Sequence, residues 1–139
     1  MRRNYVLRIS LKPLIPLMMI FALYVQFHGD FGPGGGFQAG VIFASAIILY
    51  ALIFGLRRAT QVFTPRRLEW AVACGVLLYG FVGLVSMAQG GNFLDYDLLA
   101  HDPKHGQHWG ILLIELGVGF TVAAVMVGIF FLFASRRRV

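Results

Sequence analysis

Four apolar runs, at residues 13–27, 37–56, 68–88 and 109–134, dominate this chain. Each approaches the roughly 20 residues that an α-helix needs to cross a bilayer. Lipid offers no partner to bare backbone N–H and C=O groups, so runs of this kind in a membrane must be helical or close into a barrel. Their length and their continuous, non-alternating apolarity select helices. A soluble domain carries about 25% charged residues; this chain carries 13%, with 58% hydrophobic residues. The expected fold is therefore all-α, one integral membrane domain over residues 1–139, with spans near 5–28, 37–56, 68–88 and 109–134.

The first span is extended back to residue 5 because Arg8 and Lys12, four apart on one face, can reach the headgroups with their charged tips. Pro13 and Pro16 are tolerated near a helix start or beside packed neighbours. Arg2 and Arg3 before an apolar core also suggest a signal peptide, but no small-residue cleavage site follows. A polar break and a second apolar run follow instead.

Eleven of the twelve basic residues fall in three clusters. Arg2, Arg3, Arg8 and Lys12 precede the first span. Arg57, Arg58, Arg66 and Arg67 separate the second from the third, and Arg136, Arg137 and Arg138 follow the fourth. Four crossings place all three clusters on one side, which the positive-inside rule makes cytoplasmic. Both termini are then expected in the cytoplasm. The polar segments at 28–40 and 89–108, with Asp30, Asp95, Asp97 and Asp102, are expected outside. The net charge of +6 thus orients the protein and calls for no nucleic-acid partner.

The polar break at 28–40 reads His-Gly-Asp-Phe-Gly-Pro-Gly-Gly-Gly-Phe-Gln-Ala-Gly. Its core, Pro33, Gly34, Gly35, Gly36 and Phe37, permits positive φ and close backbone contact. It matches neither a dinucleotide fingerprint nor a phosphate-binding loop, since no strand precedes Gly29 and no Lys-Ser/Thr follows Gly36. Irregular backbone near membrane depth survives only against protein or a water-filled cavity. Two readings stand: a tight turn capped by Asp30, or part of an ion path to which His28, Asp30 and Gln38 contribute. Gln38 opens the second helix, whose N-terminal dipole favours an anion or water.

Glu115 is the one carboxylate inside a long apolar run, about 9 Å deeper than Trp109 by helix rise. An ionised group there costs at least ~2.5 kcal/mol unless paired, hydrated or protonated. It can bind a proton or cation, or it can pair with a basic residue of another subunit. His108, seven residues earlier, shares its face and is either an entry for protons or an interfacial histidine. His101, Asp102, His105 and His108 invite a metal reading. Pro103 and Gly106 are expected to break their helix, and no second ligand cluster follows, so no metal or cofactor is expected. Cys74, alone in an apolar span, is expected to be a small buried hydrophobe. Thr64 is a candidate N-cap for the third span, with Glu69 near that helix start. Small residues four apart (Gly40 and Ala44, Ala51 and Gly55, Ala71 and Gly75, Ala124 and Gly128) let helices approach closely.

The segment Pro33-Gly-Gly-Gly-Phe-Gln-Ala-Gly40 resembles the turn that opens the second span in the B subunit of multisubunit Mrp/Mnh-type cation/proton antiporters, the MnhB family. Ile114-Glu-Leu-Gly-Val-Gly-Phe-Thr121, followed by Met126 and Ile129-Phe-Phe, is similar to the last span of that subunit. The resemblance implies a small subunit of a complex in the bacterial cell membrane, related to modules of complex I and membrane-bound hydrogenases. It implies exchange of external protons for internal sodium, with other membrane subunits as partners. As a secondary-transporter subunit rather than an enzyme, the chain would place Glu115 and the turn around Gly34–Gln38 on a hydrated path. Thr121 and carbonyls freed near glycines would join Glu115 as oxygen ligands for sodium. The rival expectation is a purely structural assembly subunit of that complex or of a related hydrogenase or complex I-like assembly. An autonomous small transporter is disfavoured by the scarcity of intramembrane polar groups.

Overall fold

The computed structural model describes residues 3–29, 32–99 and 103–136, and within them the chain is helical with no strand. Helix α1 spans Arg3–His28, α2 Gly36–Phe54, α3 Leu56–Val62, α4 Pro65–Ala88 and α5 Pro103–Arg136, with a short 3-10 turn at Tyr96–Leu98. Four of these helices are long and apolar enough to cross a membrane: α1, α2, α4 and α5. They match the four expected spans, and α1 runs without interruption through Pro13 and Pro16.

The ends hold two differences from expectation. Residues 56–62, expected to finish a span and open a loop, form the separate helix α3. Gly55 takes φ +98 there, a left-handed value that ends α2 and lets the chain turn at once into α3. Helix α5 begins six residues before the expected boundary. Pro103 sits at its first position, where a missing N–H costs nothing, and Gly106 lies buried within the helix rather than breaking it. Thr64 does cap α4: its hydroxyl oxygen accepts from the Arg67 N–H at 3.3 Å, and Pro65 follows at the first helical position.

The long helices stand in the order α1, α2, α5, α4, each packed along the next, with α1 touching α5 only lightly. Successive helices run up and down. One end of the row therefore gathers the end of α1, the start of α2 and residues 89–99; this is termed the glycine end. Arg57, Arg58, Arg66 and Arg67 gather at the other, the arginine end. The core lies towards the arginine end, where Ala44, Ile47 and Ala51 of α2 meet Ala59 of α3 and Val127 and Phe131 of α5. Lipid tails are as apolar as these side chains, so their contact stabilises the row through packing rather than removal from water.

Small residues set the helix spacing. A methyl on Gly40 would lie 2.8 Å from the Gly119 carbonyl oxygen, and one on Gly117 would lie 2.8 Å from that of Gly75. Ala44 and Ala51 are buried, whereas Gly128 meets nothing within 4 Å, so only some of the four-residue pairs mark close contacts. One apolar residue departs from expectation: Cys74 is exposed on α4 rather than buried. On α5, Phe131 turns inward while Phe133 faces out. The 3.6-residue period separates the two phenylalanines by about 200° around α5.

Candidate functional site

The α1–α2 break folds back on the last turn of α1. The Gly35 N–H donates to the Val25 carbonyl at 3.3 Å, and a methyl on Gly34 would sit 2.7 Å from that same oxygen. Gly35 has φ +126 and is the N-cap of α2, a position whose preferred residues supply a side-chain acceptor that glycine lacks. The first N–H groups of α2 therefore look for an acceptor elsewhere.

Glu115 of α5 reaches this corner. A methyl on Gly29 would collide with both of its carboxylate oxygens, and one on Gly35 would lie 3.2 Å from Oε1. A methyl on Gly36 would strike the Glu115 backbone. The carboxylate is thus wedged between the end of α1 and the start of α2, in a cradle open to it only because three positions lack a Cβ. An anion at a helix N-terminus is favoured by the unsatisfied N–H groups and by the helix dipole. The placement counters part of the desolvation that a half-buried carboxylate would otherwise suffer.

Of the other candidate residues, His28 closes α1 beside the cradle, half-buried, with its ring stacked on Tyr24 at 5.1 Å. Pro33 and Phe37 are exposed, as is Gln38, which stands in the first turn of α2. His108 lies on α5 two turns nearer the glycine end than Glu115, its ring edge-on to Trp109 at 6.4 Å. Thr121 is not part of this corner. Its hydroxyl donates to the Gly117 carbonyl at 2.9 Å and it packs against Gly75 of α4, on a different face of α5 from Glu115. Six residues turn a helix by about 240°, so the side chains of Thr121 and Glu115 diverge around α5. Asp30 lies outside the described residues, as do His101 and Asp102 of the metal reading. Among the described residues no three His, Cys, Asp or Glu side chains converge.

One polar residue escaped the sequence reading. Gln26 of α1 is 7% exposed, its Oε1 lies against Gly119, and its amide nitrogen has no acceptor among the described residues. Such an unmade hydrogen bond costs about 1–3 kcal/mol. The signal was visible as a lone amide within an apolar run.

The corner joins the two segments singled out by their residues, the glycine turn and the Glu115 helix. Residues 6–128 match the family described as a domain related to the MnhB subunit of the Na+/H+ antiporter. The chain belongs to the MnhB family. It is 35% identical over 127 residues to the protein named "Putative antiporter subunit mnhB2" in Staphylococcus aureus strain Newman, covering 89% of each chain. The protein of the same name in Staphylococcus haemolyticus strain JCSC1435 is 33% identical over 129 residues, 91% of each chain. With four apolar helices of spanning length, this MnhB-family chain is a multi-pass membrane protein.

Proposed function

We propose that this MnhB-family chain is a non-enzymatic subunit of a multisubunit sodium/proton antiporter in the bacterial cell membrane, and that Glu115 in its glycine cradle is a proton- or cation-responsive station on the ion route. The observation that carries the proposal is the seating of the carboxylate between Gly29 and Gly35 at the N-terminus of α2. There a proton, a sodium ion or the dipole of α2 can each neutralise it, and a modest change in hydration shifts the balance among them. The clustering of arginine at one end supports an orientation with both termini in the cytoplasm and the cradle towards the outside. One carboxylate cannot couple two ions across a bilayer, so partner membrane subunits complete the path.

The close fit of Gly36 on the Glu115 backbone favours a second reading, in which the same corner locks α2 to α5 and the chain serves assembly alone. Sodium-driven proton movement in inverted vesicles carrying the full complex with Glu115→Gln separates the two. Intact subunit composition with lost exchange, or with altered sodium and pH dependence, supports the station. Intact composition with unchanged exchange leaves the scaffold.

A further inference from the structure

Outside the cradle, a groove is walled by all four long helices, with α1 and α4 at its sides and α2 and α5 between. It follows α5 from residue 116 to residue 127, about 17 Å by helix rise, and its volume is about 290 Å³. Phe43, Phe63 and Phe120 line it, and the small side chains of Ala71 and Ala123 leave the room. Spread over about 17 Å of helix rise, the volume gives a narrow groove with a mean cross-section of about 17 Å². One hydrocarbon chain fits that section; a helix of about 10 Å diameter does not enter it.

The two ends of the groove differ. Towards the glycine end stands Gln26, whose amide nitrogen is fully enclosed. At the arginine end stands Arg67, whose guanidinium donates to the Val62 carbonyl at 2.7 Å, one of about five donors it carries. Arg57, Arg58 and Arg66 are exposed at that same end, and Glu69 is the only acidic residue between Asp30 and Asp95. An apolar channel of single-chain width that opens beside a cationic cluster matches a lipid with an anionic headgroup.

We propose that the groove binds an anionic phospholipid from the leaflet at the arginine end, one acyl chain lying along α5 and the phosphate held by Arg67. The test uses the complete antiporter complex in vesicles containing phosphatidylglycerol with a photoreactive acyl chain. Irradiation is expected to label the peptides that carry Phe43, Phe120 or Ala123. A phosphatidylcholine probe with the same chain labels about fivefold less, and Arg67→Gln lowers the phosphatidylglycerol signal by a similar factor. Arg67→Lys retains most of the signal, and Ala123→Phe, which fills the channel, removes it for both probes. Equal labelling by the two probes, or labelling indifferent to Arg67→Gln, overturns the headgroup contact and with it the site. An assembled wild-type complex with no label in the groove shows another subunit covering it, which also overturns the proposal.

Discussion

The carboxylate of Glu115 lies directly against the α-carbon of Gly29, at the point where α1 ends. The two residues are 86 positions apart in sequence, and their contact joins the end of α1 to a carboxylate well inside α5. Gly29 matters there because it lacks a side chain.

Alanine at two cradle positions is expected to act in two different ways. At Gly29 the added methyl meets the movable end of Glu115, so the carboxylate is displaced while the helices stay in place. Gly29→Ala should leave subunit composition intact and shift the sodium or pH dependence of exchange in the direction of Glu115→Gln. At Gly36 the methyl meets the Glu115 backbone, which cannot give way. Gly36→Ala should destabilise the α2–α5 contact by about 1–3 kcal/mol, seen as a lower unfolding midpoint of the complex in detergent.

Helical glycines elsewhere that meet no neighbouring element supply the control. Gly80 and Gly128 are helical with no atom within 4 Å of an added methyl. Alanine there should be neutral or stabilising by up to about 1 kcal/mol. A loss of stability at Gly128 would reveal a partner helix in close contact with it.

Thr121→Val tests the separation of Thr121 from the corner. The hydroxyl bonds to its own helix at Gly117 and the side chain faces α4. Exchange assays should find the apparent sodium affinity unchanged within about twofold, since a lost ion ligand would cost more than a satisfied hydroxyl's net bond of about 1 kcal/mol. A tenfold loss would return Thr121 to the ion route.

Tyr96, in the connection between α4 and α5, gives a pH prediction. Burial, and secondarily the neighbouring Tyr79, raises its phenol above the ordinary 10.0. The folded state therefore holds the proton more tightly than the unfolded chain. The packing of the Tyr96 ring over Gly110 is fully supported below the unfolded value near 10 and weakens as pH rises through the folded one. A phenolate absorbance titration of the wild type minus Tyr96→Phe should show a component titrating above the free phenol.

The four spans were legible because uninterrupted apolar length has few other meanings, and Thr64-Pro65 declared the start of α4 through ordinary capping chemistry. The separate helix α3 was not legible: Leu56, Ala59 and Phe63 are too few to announce a helix, and a positive φ at Gly55 is a property of the folded chain. The early start of α5 was obscured because Pro103 and Gly106 look like breakers, yet a proline at a first helical turn and a buried helical glycine break nothing. Glu115 and the glycine turn could each be picked out by composition. That Gly29, Gly35 and Gly36 touch Glu115, and that Thr121 packs on Gly75, depends on the angular setting of α5 against α1, α2 and α4, which no local pattern encodes.

The level of the cradle also has an electrical consequence. Glu115 lies about 9 Å in from Trp109 along α5, whereas α2 continues from the cradle for about 27 Å to the arginine end. On the proposed reading, an ion that reaches Glu115 from the glycine end crosses only a minor share of the transmembrane voltage. The larger share falls on the steps beyond it, where a full crossing is worth about 2.3 kcal/mol per charge at 100 mV. Substitutions at the cradle should therefore alter how exchange responds to concentration and pH, while its steepness with membrane potential is set by neighbouring subunits.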